Sequence, residues 1–171
     1  MPDSSEIKLV PGYWSDLLKL LKWIHAGSAH GHFSPRLRAH RVRFGIALQL
    51  LMVMVLGRLY SPQRGWQDAS VHVLYAGRLR LGFTLLTWLS TRPSGQHVAQ
   101  ITLFKVAPGA QSRGLGTCML RAVLAKLPRR CIVQADCLPA SKGMQRLLRT
   151  HGFKVTAGDE FGARRWARTM P

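Results

Sequence analysis

The sequence predicts a mixed α/β fold built as one domain over residues 1–171. Three observations carry this. Apolar residues recur every second position in some stretches and every third or fourth in others, and the two patterns interleave along the chain. Glycine and proline punctuate the changes of pattern. A chain of 171 residues, 47% of them hydrophobic, buries a core without disulfide or metal staples.

The elements follow in order. Glu6 to Val10 reads as a strand stopped by Pro11-Gly12. Ser15 is a helix cap, with Leu17, Leu20, Leu21 and Ile24 at helical spacing and Gly27 as the stop. Ala29 to Phe33 is a loop, and Ser34-Pro35 starts a helix running to about Leu56. Its second half, from Phe44, is apolar nearly all round and reads as buried, or else as a dimer face. Those 13 residues would span about 20 Å, short of the roughly 30 Å of a bilayer core, so stable membrane insertion is not expected. Ser61 to Asp68 is a loop. Ser70 to Tyr75 and Leu79 to Leu89 form a hairpin about Gly77. After a loop at Thr91 to Gly95, His97 to Val106 is a strand, Gly114 to Lys126 a helix and Cys131 to Asp136 a strand. Ser141 to Thr150 is a helix ended by Gly152, and Phe153 to Thr156 pairs with Arg164 to Met170 in a closing hairpin.

Charge narrows the partners. Lys and Arg total 25 against 7 Asp and Glu, a net charge of +18, which suits an anionic partner and repels polycations. Three cysteines, Cys118, Cys131 and Cys137, without CxxC spacing, argue against a disulfide framework or a zinc site. Buried free thiols and a polar start without an apolar signal core fit a reducing, cytoplasmic setting.

The informative segment runs from Val106 to Thr117: a strand ends, a glycine-containing loop follows, and a helix begins. Unpaired amides at a helix start, with the positive end of the helix dipole, make a phosphate cradle. A nucleotide-triphosphate loop is excluded because Leu115 stands where the lysine belongs, and a dinucleotide fingerprint lacks its third glycine. Gln111-Ser112-Arg113-Gly114-Leu115-Gly116 resembles the acetyl-coenzyme A loop of the GNAT superfamily of N-acetyltransferases, whose signature is Gln/Arg-x-x-Gly-x-Gly/Ala. The strand Cys131 to Asp136 and the helix ending Leu148-Arg149-Thr150-His151-Gly152-Phe153 follow in the family's order.

The resemblance implies a mostly antiparallel central sheet, flanked by helices, whose fourth and fifth strands splay apart to admit the pantetheine arm of acetyl-CoA. Phe104, Lys105 and Val106 would pair with that arm through their backbones, and the amides of Gln111, Ser112, Arg113, Gly114, Leu115, Gly116 and Thr117 would hold the diphosphate. It implies direct acetyl transfer to an amine. Asp136 stands where many relatives carry a catalytic glutamate, and Ser141 where the family has an asparagine. Asp68, His72 and His97 are weaker candidate bases, with Cys137 and Tyr75 as other proton donors. The family tyrosine maps to Leu148, which cannot donate a proton. The alternative is therefore a catalytically degenerate GNAT-fold protein that binds coenzyme A or nucleic acid. The acceptor side of the family maps to segments carrying Lys19, Lys22, His25, His30, His32, Arg36, Arg38, Arg41, Arg43, Arg164, Arg165 and Arg168, interspersed with Trp14, Trp23, Phe33, Trp66 and Trp166. This combination suits an amine on an RNA-linked or protein substrate, such as aminoacyl-tRNA or a ribosomal protein.

Overall fold

The computed structural model describes residues 7–31, 33, 40–89, 97–111, 113–159 and 162–171. The helix start expected at Ser34-Pro35, the loop at Thr91 to Gly95, Glu6 and Ser112 lie outside them. Among the described residues are eight strands, β1 (Ile7–Pro11), β2 (Arg58–Ser61), β3 (Gly65–Ala76), β4 (Leu79–Leu89), β5 (Val98–Val106), β6 (Ile132–Cys137), β7 (Lys154–Gly158) and β8 (Arg164–Thr169). The helices are α1 (Leu17–Ala29), α2 (His40–Leu56), α3 (Leu115–Ala125) and α4 (Lys142–Thr150).

The strand order is β1-β3-β4-β5-β6-β8-β7, with β2 also paired to β3. Every pairing is antiparallel except β5 with β6. Alternating side chains divide the sheet between two cores. Val71, Val73, Phe83 and Leu85 meet Leu20, Trp23 and Ile24 of α1 and Leu50 and Val53 of α2. On the other face Leu86, Ile101, Val133 and Trp166 meet Leu120 and Val123 of α3 and Leu148 of α4.

One irregularity opens the sheet. Leu85 pairs with Leu103 and Leu86 with Ile101, so Thr102 is an extra residue on β5. Such a bulge bends its strand and sharpens its twist. The parallel pairing of β5 with β6 ends at Ile101 and Ala135, immediately before the bulge. Beyond it β5 stays with β4 and β6 stays with β8, and the two strands part. Two buried threonines of β4 hold the bulge: the Thr84 hydroxyl donates to the Leu103 carbonyl at 3.0 Å, and Thr87 Oγ1 lies 2.9 Å from Thr102 Oγ1.

Four local expectations change. Ser15 is exposed; the turn before α1 is instead organised by Asp16, which is fully buried and accepts the Tyr13 amide at 2.9 Å together with the Tyr75 hydroxyl and Arg80 Nε. Gly27 does not stop α1. It lies inside the helix, where a Cβ would meet the Phe33 ring at 2.7 Å, so the contact rather than a turn calls for glycine. The segment Ser61 to Asp68 is no long loop, since β2 and the start of β3 form a second hairpin. The second half of α2 is only partly buried, with Phe44, Leu48, Leu51, Val55 and Leu56 exposed. Among the described residues no helix is long and apolar enough to cross a membrane.

Candidate active site

The parting of β5 and β6 leaves a cleft of about 510 Å³. Thr102, Phe104, Lys105 and Val106 line it from β5, and Ala135, Asp136 and Cys137 from β6. Gln111, Gly114, Gly116 and Thr117 close one end, and Ser141, Met144, Arg146, Leu147 and Thr150 flank it along α4. Phe33 lines it from the side of α1 and α2.

The loop at the closed end is shaped by backbone. Gly114 occupies the N-cap of α3 at φ 73°, ψ −3°, a left-handed conformation that glycine adopts without penalty. Cys118 N–H donates to the Gly114 carbonyl at 3.1 Å. The amides of Leu115, Gly116 and Thr117 therefore precede the first intrahelical bond and have no partner within the helix. A Cβ at Gly114 would meet no atom within 4 Å, so the space above the cap is open. The Gln111 side chain donates back to the Val106 carbonyl at 3.3 Å, fastening the loop to the end of β5. Leu115 is turned into the core beside Leu74 and Met119, leaving only its amide for a ligand. Arg113 is exposed and is not among the residues that line the cleft.

Asp136 and Ser141 both line the cleft. Arg165 grips Asp136 with two charge-assisted bonds, Nε to Oδ1 at 2.8 Å and Nη2 to Oδ2 at 3.0 Å, and the Gln100 amide adds a third at 3.1 Å. The same bonds hold the Arg165 guanidinium above its ordinary pKa. Ser141 takes the N-cap position of α4, its amide donating to Leu138 and its carbonyl accepting from Gln145.

The weaker candidates separate. Asp68 is exposed and lies 3.7 Å from Arg58, on β3. His97 precedes β5, at the end of the strand away from the parting. His72 is on β3; burial first, and then the charge of Lys126, push its pKa down. None of the three lines the cleft. Tyr75 is committed to Asp16. Cys137 lines the cleft, but burial and then the neighbouring Asp136 push its thiol up to about 12. Passing its proton to a thiolate whose conjugate acid is near 8.5 would run uphill. Leu148 is fully buried in the core, whereas Met144 and Leu147 face the cleft. Leucine at 148 therefore offers the cleft no proton donor. The hydroxyls lining the cleft belong to Thr102, Thr117, Ser141 and Thr150. Sequence reasoning missed Thr84, Thr87 and Gln100, and it placed Arg165 on the acceptor side without pairing it to Asp136; all four act on residues distant in the chain.

Comparison with known proteins agrees with this geometry. No curated protein is matched by sequence. The fold is shared with an acetyltransferase from Thermus thermophilus, at 17% identity and a TM-score of 0.71, covering 96% of this chain and 97% of that one. It is also shared with RimL, a ribosomal L7/L12 alpha-N-protein acetyltransferase solved with coenzyme A, at 14% identity and TM-score 0.67 over 99% and 97% of the two chains. Arabidopsis thaliana Naa50, solved with the bisubstrate analogue CoA-Ac-MVNAL, matches at 11% identity and TM-score 0.64 over 95% and 98%. Residues 57–153, more than half of the chain and including the bulge, the loop and α4, match the model of the acetyltransferase (GNAT) family, and the chain belongs to that family.

Proposed function

We propose that this chain acts as a single-domain, acetyl-CoA-dependent N-acetyltransferase that moves the acetyl group directly to a primary amine, carried on an RNA-linked or protein substrate such as aminoacyl-tRNA or a ribosomal protein. One observation carries the reading: two strands part at a bulge, and the cleft between them ends on the open amides of a helix start. Unpaired backbone on β5 suits an extended pantetheine arm, and the amides after Gly114 suit a diphosphate. RimL and Naa50, with coenzyme A or its analogue bound, support the same donor.

In the transfer, the acceptor ammonium loses a proton and its nitrogen attacks the thioester carbonyl carbon. The carbon–sulfur bond then breaks, the nitrogen gives up its second proton, and the leaving thiolate takes up one, so that the amide and free thiol form with one net proton released to the base. Asp136 receives the ammonium proton, directly or through water. A carboxylate offers about four lone-pair sites, and three are used by Arg165 and Gln100. Ser141, at the start of α4, serves the departing sulfur. The test is release of free thiol from acetyl-CoA with a panel of amines, repeated with Asp136→Asn and Ser141→Ala. Losses of about 10²-fold in kcat support the assignments; unchanged rates refute them. Affinity for tRNA that does not fall with salt refutes the RNA-linked acceptor, because phosphate contacts release counterions.

We further propose that the outer row of α2 joins two copies of the chain. Phe44, Leu48, Leu51 and Val55 follow the 4-3-4 spacing of a helix-packing seam and are 75%, 48%, 36% and 69% exposed. No ionisable residue lies between Phe44 and Gly57, so two chains of charge +18 would meet there on neutral surface. Leu56, Trp14 on the turn that contacts α2, and Leu18 in the first turn of α1 add further exposed apolar side chains.

A further inference from the structure

Lys105 stands on the face of the cleft opposite α3. In register it pairs with Phe83, which is fully buried beneath α1 and α2, and residues paired across two strands share a face. Leu103, two positions earlier, packs on that same side, whereas Phe104 packs against the cluster that includes α3. Asp136 alternates with Ala135 and Cys137, which face the α3–α4 core, so it too lies on the α1–α2 side. Lys105, Asp136 and Phe33 thus mark one side of the cleft.

The charges on that side do not balance. Among the described residues lining the cleft, the cations are Lys105 and Arg146 and the only acid is Asp136. Asp136 is already matched by Arg165. Lys105 is part-buried, and no ion pair to it occurs among the described residues. Burial lowers its pKa, as befits an ammonium short of compensation. We infer that Lys105 recognises an anionic group, a carboxylate or a phosphate, that the acceptor carries close to its reactive amine. This rests on the acetyltransferase reading and narrows its substrate class to amines on acidic molecules. A cation beside the incoming ammonium also favours its neutral, nucleophilic form, so the same side chain serves the chemistry.

The experiment measures kcat/KM for matched acceptors. One pair is a peptide with a free N-terminus followed by Asp and Glu, against the same peptide with Asn and Gln. The other is an aminoacylated nucleotide, against the nucleoside that lacks its phosphate. The wild-type chain is expected to favour the anionic member of at least one pair by about tenfold, and the pair that responds tells carboxylate from phosphate. Lys105→Met should bring that ratio close to one, Lys105→Arg should restore it, and Lys105→Glu should invert it. Measurable turnover with a ratio of one in both pairs overturns the inference. So does a ratio that Lys105→Met leaves intact, or a Lys105→Met effect confined to the KM for acetyl-CoA. Failure to acetylate any of the four acceptors counts against the acetyltransferase reading itself, a different result from turnover without preference.

Discussion

Replacing Gly114 with alanine separates the loop's role in folding from its role in binding. The residue sits at φ 73°, and a Cβ placed there would meet nothing within 4 Å, so the folding cost is conformational alone. A left-handed alanine costs about 1–2 kcal/mol. For a chain of this size that lowers Tm by about 2–4 °C for each kcal/mol, small enough to leave the protein folded at 25 °C. The new methyl would stand in the open space beside the amides of Leu115, Gly116 and Thr117, where a diphosphate would approach. Coenzyme A affinity, measured by calorimetry, should fall at least about tenfold, the equivalent of one charge-assisted contact. Acetyl transfer from S-acetylpantetheine, which has the arm but no diphosphate, should be nearly unchanged. Equal losses with both donors would mean that the loop only shapes the cleft, and no loss with coenzyme A would show that these amides do not hold the diphosphate.

Three further outcomes follow from the same structure. Thr84→Val removes the hydroxyl that anchors the Leu103 carbonyl while keeping the shape of the side chain; it should cost about 1–2 kcal/mol in urea unfolding and raise the KM for acetyl-CoA, whereas a purely structural threonine would leave KM alone. Asp16→Ala should cost about 2–3 kcal/mol at pH 7, less than a fully buried ion pair because the Arg80 side chain is 32% exposed. Burial alone would raise the Asp16 pKa, but bonds from Tyr75, Tyr13 and Arg80, with the Arg80 charge, hold it below the usual carboxylate range. Its contribution is therefore present above about pH 4 and is lost as pH falls through the depressed value, so the gap between wild type and variant should close in acid. In sedimentation the wild-type chain should be dimeric at micromolar concentration and Leu48→Glu/Val55→Glu monomeric; a monomeric wild type, or one that binds anionic vesicles through this face instead, refutes the α2 interface.

What the sequence disclosed and what it withheld divide along a physical line. The loop from Gln111 to Thr117 was legible because its features are local: a strand end, a left-handed glycine and a helix start lie within twelve residues, and the groups that such a helix start leaves open are backbone amides. The alternating and helical periods placed the main strands and helices for the same reason. The bulge at Thr102 was not legible, since it exists only through the registers of Leu85 and Leu86 and the reach of Thr84 and Thr87 across strands. That an arginine pairs with Asp136 at its strand end was legible; that it is Arg165, 29 positions away, was not. At Leu148 the sequence showed a leucine where the family carries a tyrosine, but not where that side chain goes: in space α4 turns Met144 and Leu147 toward the cleft and Leu148 into the core, and one residue along a helix rotates a side chain by about 100°.

These non-local features set the chemistry that the local loop can support. A parallel strand pair has no intrinsic reason to separate midway, because each residue that leaves the ladder gives up a backbone bond. Here the loss is offset on both sides: β5 keeps β4 as far as Gly82 and Val106, and β6 keeps β8 as far as Cys137 and Arg164. At the parting, among the described residues, the two edges that face each other have no partner strand, and an extended, amide-bearing arm can satisfy them in the way an added strand would. The sheet can therefore remain stable with its cleft empty and gain hydrogen bonds when the cleft fills. Asp136 and Lys105 occupy opposite lips of that opening, on the same face of the sheet, because each lies one residue from a neighbour pointing into the α3 side. The pleat that turns Ala135 and Phe104 toward the α3 side thus also sets a carboxylate and an ammonium on the other side of the cleft.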